Sequence, residues 1–499
     1  MDAAAVTVIS RPGAPVERGR PTPLVAPFNV QRLVRLMGDW CLGEGVLHAQ
    51  LADQLRTLVV QGKLPTGVRL PSERSLAVAL GVSRNTVGTA FDCLRAEGIL
   101  SSRRGDGTYV SSARQHVNAR GDDRLQSFMA RSPAAASRID LRSAALPWLP
   151  LVVDEMQRSI SENLQPLVAS HGYLPSGLPA LKEEVAVYYS RSGLPTTPNQ
   201  IVITTGAQQA MRIAAVSILE PGSVVLVEEP SFRGAIELLR AAGAQLVPIE
   251  RGPSGIEVHT FHEAVNRHRP ALLMLQSTVH NPTGGVMDVA RRRRLAAAAE
   301  QIGLPVLDDT ALADAVIDGP QPTPMAAFGS TVLTVGSVSK SFWGGLRVGW
   351  LRVDPAMAAS MASIKAGEDL GTSILAQVVT ARLLPRIDEA RAERRASLTA
   401  KRDVALAAMA ELLPDWQPVI PMGGASLWVQ LPAPVATLVT QRAERLGVQL
   451  MPGPTFSCVD GLADHLRISI ANETEEVLAG LRLLTLAWQD LSPSEQTRR

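Results

Sequence analysis

Apolar side chains follow two rhythms along this chain. Between Val30 and Leu42, the residues Leu33, Val34, Leu36, Met37 and Trp40 fall at helical spacing and predict a short amphipathic helix. From Gln50 to Val60, Leu51, Leu55, Leu58 and Val59 line one helix face. After Gly62-Lys63-Leu64-Pro65, Ser72 is placed to cap a second helix, with Pro71 just outside it and Leu76, Ala79 and Leu80 facing inward. Gly81-Val82-Ser83 reads as a tight turn in which Gly81 takes a left-handed helix end and Ser83 caps a third helix burying Val87, Phe91 and Leu94. Ser102 to Val110 reads as a hairpin with a glycine-rich tip. From about residue 139 the rhythm changes. Short apolar runs such as Ile201–Thr204, Ala271–Leu275 and Leu304–Leu307 alternate with helical stretches to about residue 490, which predicts an α/β domain with a largely parallel sheet.

These rhythms divide the chain into a polar, proline-rich tail (1–29), a small helical domain with a hairpin (30–112), a linker (113–138) and a large body (139–492). A length of 499 residues suits two or three domains, and 46% apolar residues suffice for a large core. No run approaches the roughly 20 apolar residues of a membrane span. Arg11, Pro12, Pro15 and Glu17 interrupt any signal core, so a soluble cytoplasmic protein is expected. Cys41, Cys93 and Cys458 are far apart and odd in number, which argues against a disulfide scaffold or a structural zinc site. Residues 1–135 carry 17 Lys and Arg against 11 Asp and Glu, leaving the remainder acidic although the whole chain is +2. A basic front end suits an anionic partner such as nucleic acid, and by itself suits solvated surface equally well.

Motifs sharpen the picture. Arg84, Asn85 and Thr86 open the third helix, where short donors and an arginine are what major-groove reading requires. Residues 62–110 resemble the GntR-type winged helix–turn–helix, whose run through Arg69-Leu70-Pro71-Ser72-Glu73-Arg74 and Gly81-Val82-Ser83-Arg84 is present almost letter for letter. The resemblance implies that Arg69, Arg74, Ser83, Arg84, Asn85, Thr86, Arg104 and Gly105 meet double-stranded DNA. Gly88 stands where many members carry a longer polar side chain.

In the body, Thr205-Gly206-Ala207 links a strand to a helix N-terminus, an arrangement that holds anions. Asn281-Pro282-Thr283-Gly284 and Asp308 each follow an apolar strand. Lys340 lies among small residues beyond another strand, with Ser337 and Arg347 on either side. Lysine forms Schiff bases, and an apolar, cation-rich pocket lowers its pKa enough to allow it. Residues from about 140 to 490 resemble the fold-type I aminotransferases, which bind pyridoxal 5′-phosphate (PLP). That resemblance implies an α/β domain with a mostly parallel central sheet and a smaller α+β subdomain. It makes Lys340 the Schiff-base lysine, pairs Asp308 with the pyridinium nitrogen and Asn281 with the ring hydroxyl, and stacks Phe232 on the ring. Gly206, Ala207, Ser337 and Arg347 hold the phosphate, Tyr173 reaches the neighbouring subunit's cofactor, and Arg467 grips an amino acid's carboxylate.

The two halves in this order resemble the MocR-like transcriptional regulators. The resemblance implies a head-to-tail homodimer that binds DNA under the control of PLP or an amine or amino-acid effector. An aminotransferase with an appended DNA-binding domain is the alternative. Thr310 stands where a tyrosine is expected near the ring hydroxyl, which favours sensing over turnover.

Overall fold

The computed structural model describes residues 28–110, except 29, 38–39, 41–45, 61–62, 65–67, 98 and 104–106, and residues 138–491, except 170 and 460. Nearly all of the tail 1–29 and the linker 113–138, with the wing-tip residues Arg104 and Gly105, lie outside the described residues. The chain separates into two compact units, Met1–Ala130 and Arg131–Arg499.

In the first unit, helices Val30–Met37, Leu47–Val60, Glu73–Leu80 and Arg84–Ala96 are followed by strands β1 (Leu100–Arg103) and β2 (Gly107–Val110). Leu33, Met37, Leu51, Leu55, Leu58, Leu76, Val87, Phe91 and Leu94 share one core. Ala77 is the buried alanine of the third helix, whereas Ala79 is half-buried. Ser72 Oγ accepts from Ser75 N–H at 3.1 Å, and Gly81 ends that helix with φ 68°, as the turn chemistry predicts. The two strands pair antiparallel, Leu100 opposite Val110 and Arg103 opposite Gly107.

The second unit begins with β3 (Ile139–Asp140). Its main sheet is built from β4 (Ile201–Thr204), β5 (Val224–Glu229), β6 (Gln245–Gly252), β7 (Gly255–Ile256), β8 (Leu272–Leu275), β9 (Val306–Asp309), β10 (Val332–Ser337) and β11 (Gly349–Arg352). Their order is β4-β11-β10-β9-β8-β5-β6-β7, and the central pairs β10–β9, β9–β8, β8–β5 and β5–β6 are parallel. Both faces are covered, as a parallel sheet requires. Val306, Leu273 and Ile203 face one core with Tyr189 and Trp350, while Leu307, Met274 and Val202 face the other with the helix Ala207–Ile218. A smaller α+β subdomain holds β12 (Gln417–Val419), β13 (Ser426–Gln430), β15 (Met451–Pro452) and β16 (His465–Ser469), packed with the helices Ile387–Leu412 and Thr474–Gln489. The short strand β14 (Val448–Gln449) pairs with β3. Among the described residues no helix is long and apolar enough to cross a membrane.

Candidate functional site

Open parallel sheets place ligands beyond the carboxyl ends of their strands. Here those ends carry Gly206 after β4, Phe232 after β5, Asn281 after β8, Asp309 at the tip of β9, and Ser337 with Lys340 at and after β10. Gly206 caps the helix Ala207–Ile218 without a side chain and with φ 114°, leaving its first N–H groups facing outward. A Cβ there would lie 2.9 Å from Arg347 Nη2, and one on Gly349 would lie 2.7 Å from the Gly206 carbonyl carbon. Arg347 itself takes a left-handed φ of 53° and donates from Nη2 to Thr205 O at 2.7 Å. The Ser337 hydroxyl lies 2.9 Å from Ser339 Oγ and 3.2 Å from Val348 O. Gly206, Ala207 and Arg347 are therefore brought together at one helix N-terminus. Phe232 turns its ring over Gly234, where a Cβ would lie 2.6 Å from the ring and 3.0 Å from Gln208 Nε2.

Lys340 is half-buried. Its Nζ donates to Ala144 O at 2.9 Å, and burial, followed by the positive charges of Arg467 and Arg394, lowers its pKa to about 8, with Asp309 opposing. Arg394 gathers the lysine loop, donating from Nε to Lys340 O and Ser341 O at 3.1 and 3.2 Å. Its Nη2 donates to Pro147 O at 2.6 Å and Phe342 O at 2.8 Å. Arg467, on β16, donates from Nη1 to Asn281 Oδ1 at 3.1 Å and from Nη2 to Arg142 O, and lies 4.9 Å from the Phe456 ring centre. Its Nε is buried and has no hydrogen-bond partner among the described residues. Burial, then Arg233, lowers its pKa to about 10.

Two acids end β9. Successive residues of a strand face opposite sides of the sheet. Asp308 shares the face of Val306, and both its oxygens accept from Ser277, Oδ1 from N–H at 2.9 Å and Oδ2 from Oγ at 2.6 Å. Burial raises its pKa to about 6, and among its neighbours the nearby cation is Arg292. Asp309 shares the face of Leu307 and the helix Ala207–Ile218, accepts from Gln276 Nε2 at 2.8 Å and Ala311 N–H at 3.0 Å, and is the carboxylate that Lys340 stabilises. Of the two, Asp309 is the one whose charge acts on Lys340. The same alternation removes Thr310 from the pocket: its hydroxyl donates to Val335 O at 2.7 Å on the Tyr189 side of the sheet.

Tyr173 is 60% exposed and stacks on His171, apart from this cluster within the single chain. Sequence reading missed Asp309, Gln276 and Arg394. The Asp308-Asp309 doublet was a visible signal, but choosing between the two requires knowing which face carries the anion-binding helix. Arg394 sits in a long charged helix, where nothing local marks it out.

The first unit presents a different surface. Ser83 caps the helix Arg84–Ala96, its Oγ accepting from Thr86 N–H at 3.0 Å and meeting Thr86 Oγ1 at 2.8 Å. Arg74, Arg84 and Asn85 are exposed. Arg84 Nε lies 3.5 Å from Glu73 Oε2. Arg69 lies against the wing, within 2.7 Å of where a Gly107 Cβ would stand.

Comparison with known proteins agrees with both halves. The model "Aminotransferase class I and II" matches residues 150–482, and "Bacterial regulatory proteins, gntR family" matches residues 47–110. The chain is 30% identical to the probable rhizopine catabolism regulatory protein MocR of Rhizobium meliloti, over 67% of this chain and 71% of that one. It is 28% identical to the HTH-type transcriptional regulator YisV of Bacillus subtilis, over 77% of this chain and 84% of that one. Among solved structures, LysN of Thermus thermophilus, an α-aminoadipate aminotransferase complexed with N-(5′-phosphopyridoxyl)-L-leucine, matches with 27% identity and a TM-score of 0.65, covering 73% of this chain and 96% of that one. The chain belongs to the MocR-like regulators, in which a GntR-type DNA-binding domain is joined to a class I and II aminotransferase domain.

Proposed function

We propose that this protein is a cytoplasmic transcriptional regulator whose aminotransferase-like unit holds PLP on Lys340 and senses an amine or amino acid there. The single observation that carries the reading is the half-buried lysine set beside Arg467 and Arg394, in a chain that also presents a capped recognition helix.

The residues fit the cofactor. Gly206 and Ala207 N–H groups, the Ser337 hydroxyl and the Arg347 guanidinium suit a phosphate. Phe232 supplies an aromatic face, Asp309 a carboxylate for a ring nitrogen, and Asn281 an amide for a ring hydroxyl. Arg467, whose buried Nε has no partner among the described residues, suits the carboxylate of an amino acid. PLP, when bound, supplies an electrophilic aldehyde on an electron-withdrawing ring. The protein's part is to keep Lys340 partly neutral near pH 8, so that its amine attacks, and to exclude water around it. Burial pushes the Asp309 pKa up, and the N–H donors of Ala311 and Gln276 with the charge of Lys340 pull against it. We further propose a head-to-tail homodimer in which Tyr173 of each subunit serves the other's site. Control of DNA binding then requires that the ligand favour one of two conformations.

On the DNA side, Arg84, Asn85 and Thr86 are assigned to base edges, while Ser83, Arg69, Arg74, Arg104 and Gly105 position the backbone. Footprinting on the protein's own upstream DNA, with and without PLP and candidate amines, tests the whole reading. Protection unaffected by either addition would overturn the sensing role.

A working aminotransferase with a DNA-binding appendage is the second reading, favoured by the presence of Lys340, Asp309 and Arg467 together. Against it, the stretch Asp309-Thr310-Ala311-Leu312 brings no phenol to the pocket. Steady conversion at the roughly 1–1000 per second typical of dedicated enzymes would establish that reading instead.

A further inference from the structure

The segment between β3 and the helix Pro150–Val168 crosses the candidate site as an arch. Its feet are fixed. Leu141 is fully buried, its N–H donating to Gln449 O at 2.9 Å and its carbonyl accepting from Ser469 N–H at 2.9 Å. At the far end Leu146 is buried and Arg394 takes the Pro147 carbonyl. Between the feet, Arg142, Ser143 and Ala144 are half-buried and Ala145 is exposed. This crown contributes no large apolar side chain to a core.

Three side chains hold it by its carbonyls. Arg467 Nη2 donates to Arg142 O, Ser469 Oγ to Ser143 O at 2.7 Å, and Lys340 Nζ to Ala144 O at 2.9 Å. Two of the three are the groups assigned above to the ligand. We propose that the crown Arg142–Ala145 is a ligand-displaced latch, in which its carbonyls occupy the N–H donors of Arg467 and Lys340 that a carboxylate and an aldehyde would otherwise take. This inference rests on the functional reading of Lys340 and Arg467 given above.

The chemistry is competitive. Once the Lys340 ammonium has given a proton to solvent, its neutral amine condenses with an aldehyde: nitrogen bonds to carbon, the aldehyde oxygen leaves as water with both amine hydrogens, and no N–H is left for Ala144 O. A carboxylate on Arg467 offers a charged acceptor in place of the neutral carbonyl of Arg142, and charged acceptors are the stronger partners. Of the three side chains on the crown's carbonyls Ser469 would then remain, with Asp140 still accepting from the Arg142 N–H at 2.9 Å. Ligand binding and crown release are thus linked, and the linkage is reciprocal. The crown lies directly after the segment that leads from the DNA-binding unit.

Hydrogen exchange across residues 142–146, read by mass spectrometry on the full-length protein, tests this, with β8 to β10 peptides as the internal reference. Adding PLP to the wild type should quicken crown exchange by roughly tenfold, the scale set by loss of one charged hydrogen bond. Lys340→Met, without any PLP, should exchange at the faster rate already and ignore added PLP. Arg467→Met provides a second loosened variant should the first fold poorly. Crown exchange that is equal in the wild type and both variants would overturn the latch, whatever PLP does. Failure of PLP to label Lys340 in the wild type, with loosened crowns in both variants, would instead support the latch and overturn the functional reading.

Discussion

The two units expose their chemistry in opposite ways. In the first, the residues assigned to DNA lie within one stretch of sequence, and the recognition-helix residues Arg84 and Asn85 stand exposed on a helix whose other face fills the core. In the second, Gly206, Asn281, Asp309 and Lys340 meet because the strands before them end on one edge of the main sheet, and Arg467 is added from β16 of the smaller subdomain. The first is a surface that reads a large, charged partner. The second is a partly buried cluster in which burial and neighbouring charges push the pKa values of Lys340 and Arg467 down. Substitutions in the first should alter affinity while leaving each side chain's chemistry intact. Substitutions in the second should change the chemistry itself.

The largest expected effect is at Lys340. Lys340→Ala should abolish the visible absorption of added PLP and its fixation by a hydride reductant, with the protein still folded by circular dichroism. Persistent absorption after dialysis would transfer the role to another lysine.

Next come the paired acids. Asp309→Asn should weaken PLP retention and shift its absorption, because the carboxylate facing Lys340 is removed. Asp308→Asn should leave the spectrum in place and act on stability, since that carboxyl is enclosed by Ser277. Equal spectral effects from both would erase the two-face assignment.

For the exposed unit, Arg84→Ala should cost about 1–3 kcal/mol in operator binding and relax selectivity at one position. Arg74→Ala, assigned to the backbone, should weaken all sequences alike and lower the salt slope by about one. Titration at several salt concentrations separates the two.

The pH dependence sharpens the buried side. Burial and two arginines disfavour the charged amine of Lys340, so its neutral form grows as pH rises toward about 8 and levels off above it. The rate of PLP capture by the apoprotein should follow that curve, whereas an ordinary lysine would keep climbing toward 10.5. Arg394→Met should move the midpoint upward by removing a repelling charge. A profile still rising at pH 10 would show the amine to be ordinary.

The smallest effect belongs to Thr310→Val. Losing one hydrogen bond to Val335 O should lower thermal stability by about 1 kcal/mol with no change in the PLP spectrum.

Much of this was legible in the chain. Ser72, Gly81 and Ser83 announce the helix ends through capping chemistry that acts over three or four residues. Lys340 between Ser337 and Arg347 is equally local. What is not legible falls where face, rather than position, decides. Asp308 and Asp309 differ by one residue and so face opposite sides of the sheet, and nothing local says which side each takes. Arg394 was invisible because its partners, Lys340, Ser341, Phe342 and Pro147, are remote in sequence and are all backbone carbonyls, which have no sequence signature.

Gln276 and Asn281 give the site a sense of direction. An amide side chain has one accepting end and one donating end, and they cannot be exchanged without reversing both bonds. Gln276 accepts the Asn281 N–H on Oε1 at 2.9 Å, so its NH2 must face Asp309, as it does at 2.8 Å. Asn281 accepts from Arg467 on Oδ1, so its own NH2 is the end left to address a ligand. Donation thus runs one way, from guanidinium to amide and from amide to carboxylate, and it ends on an oxygen that never needs to give a proton. A buried acid served only by donors has no use for its own hydrogen. The polarity of two neutral side chains therefore favours the charge on Asp309, against the burial that would neutralise it.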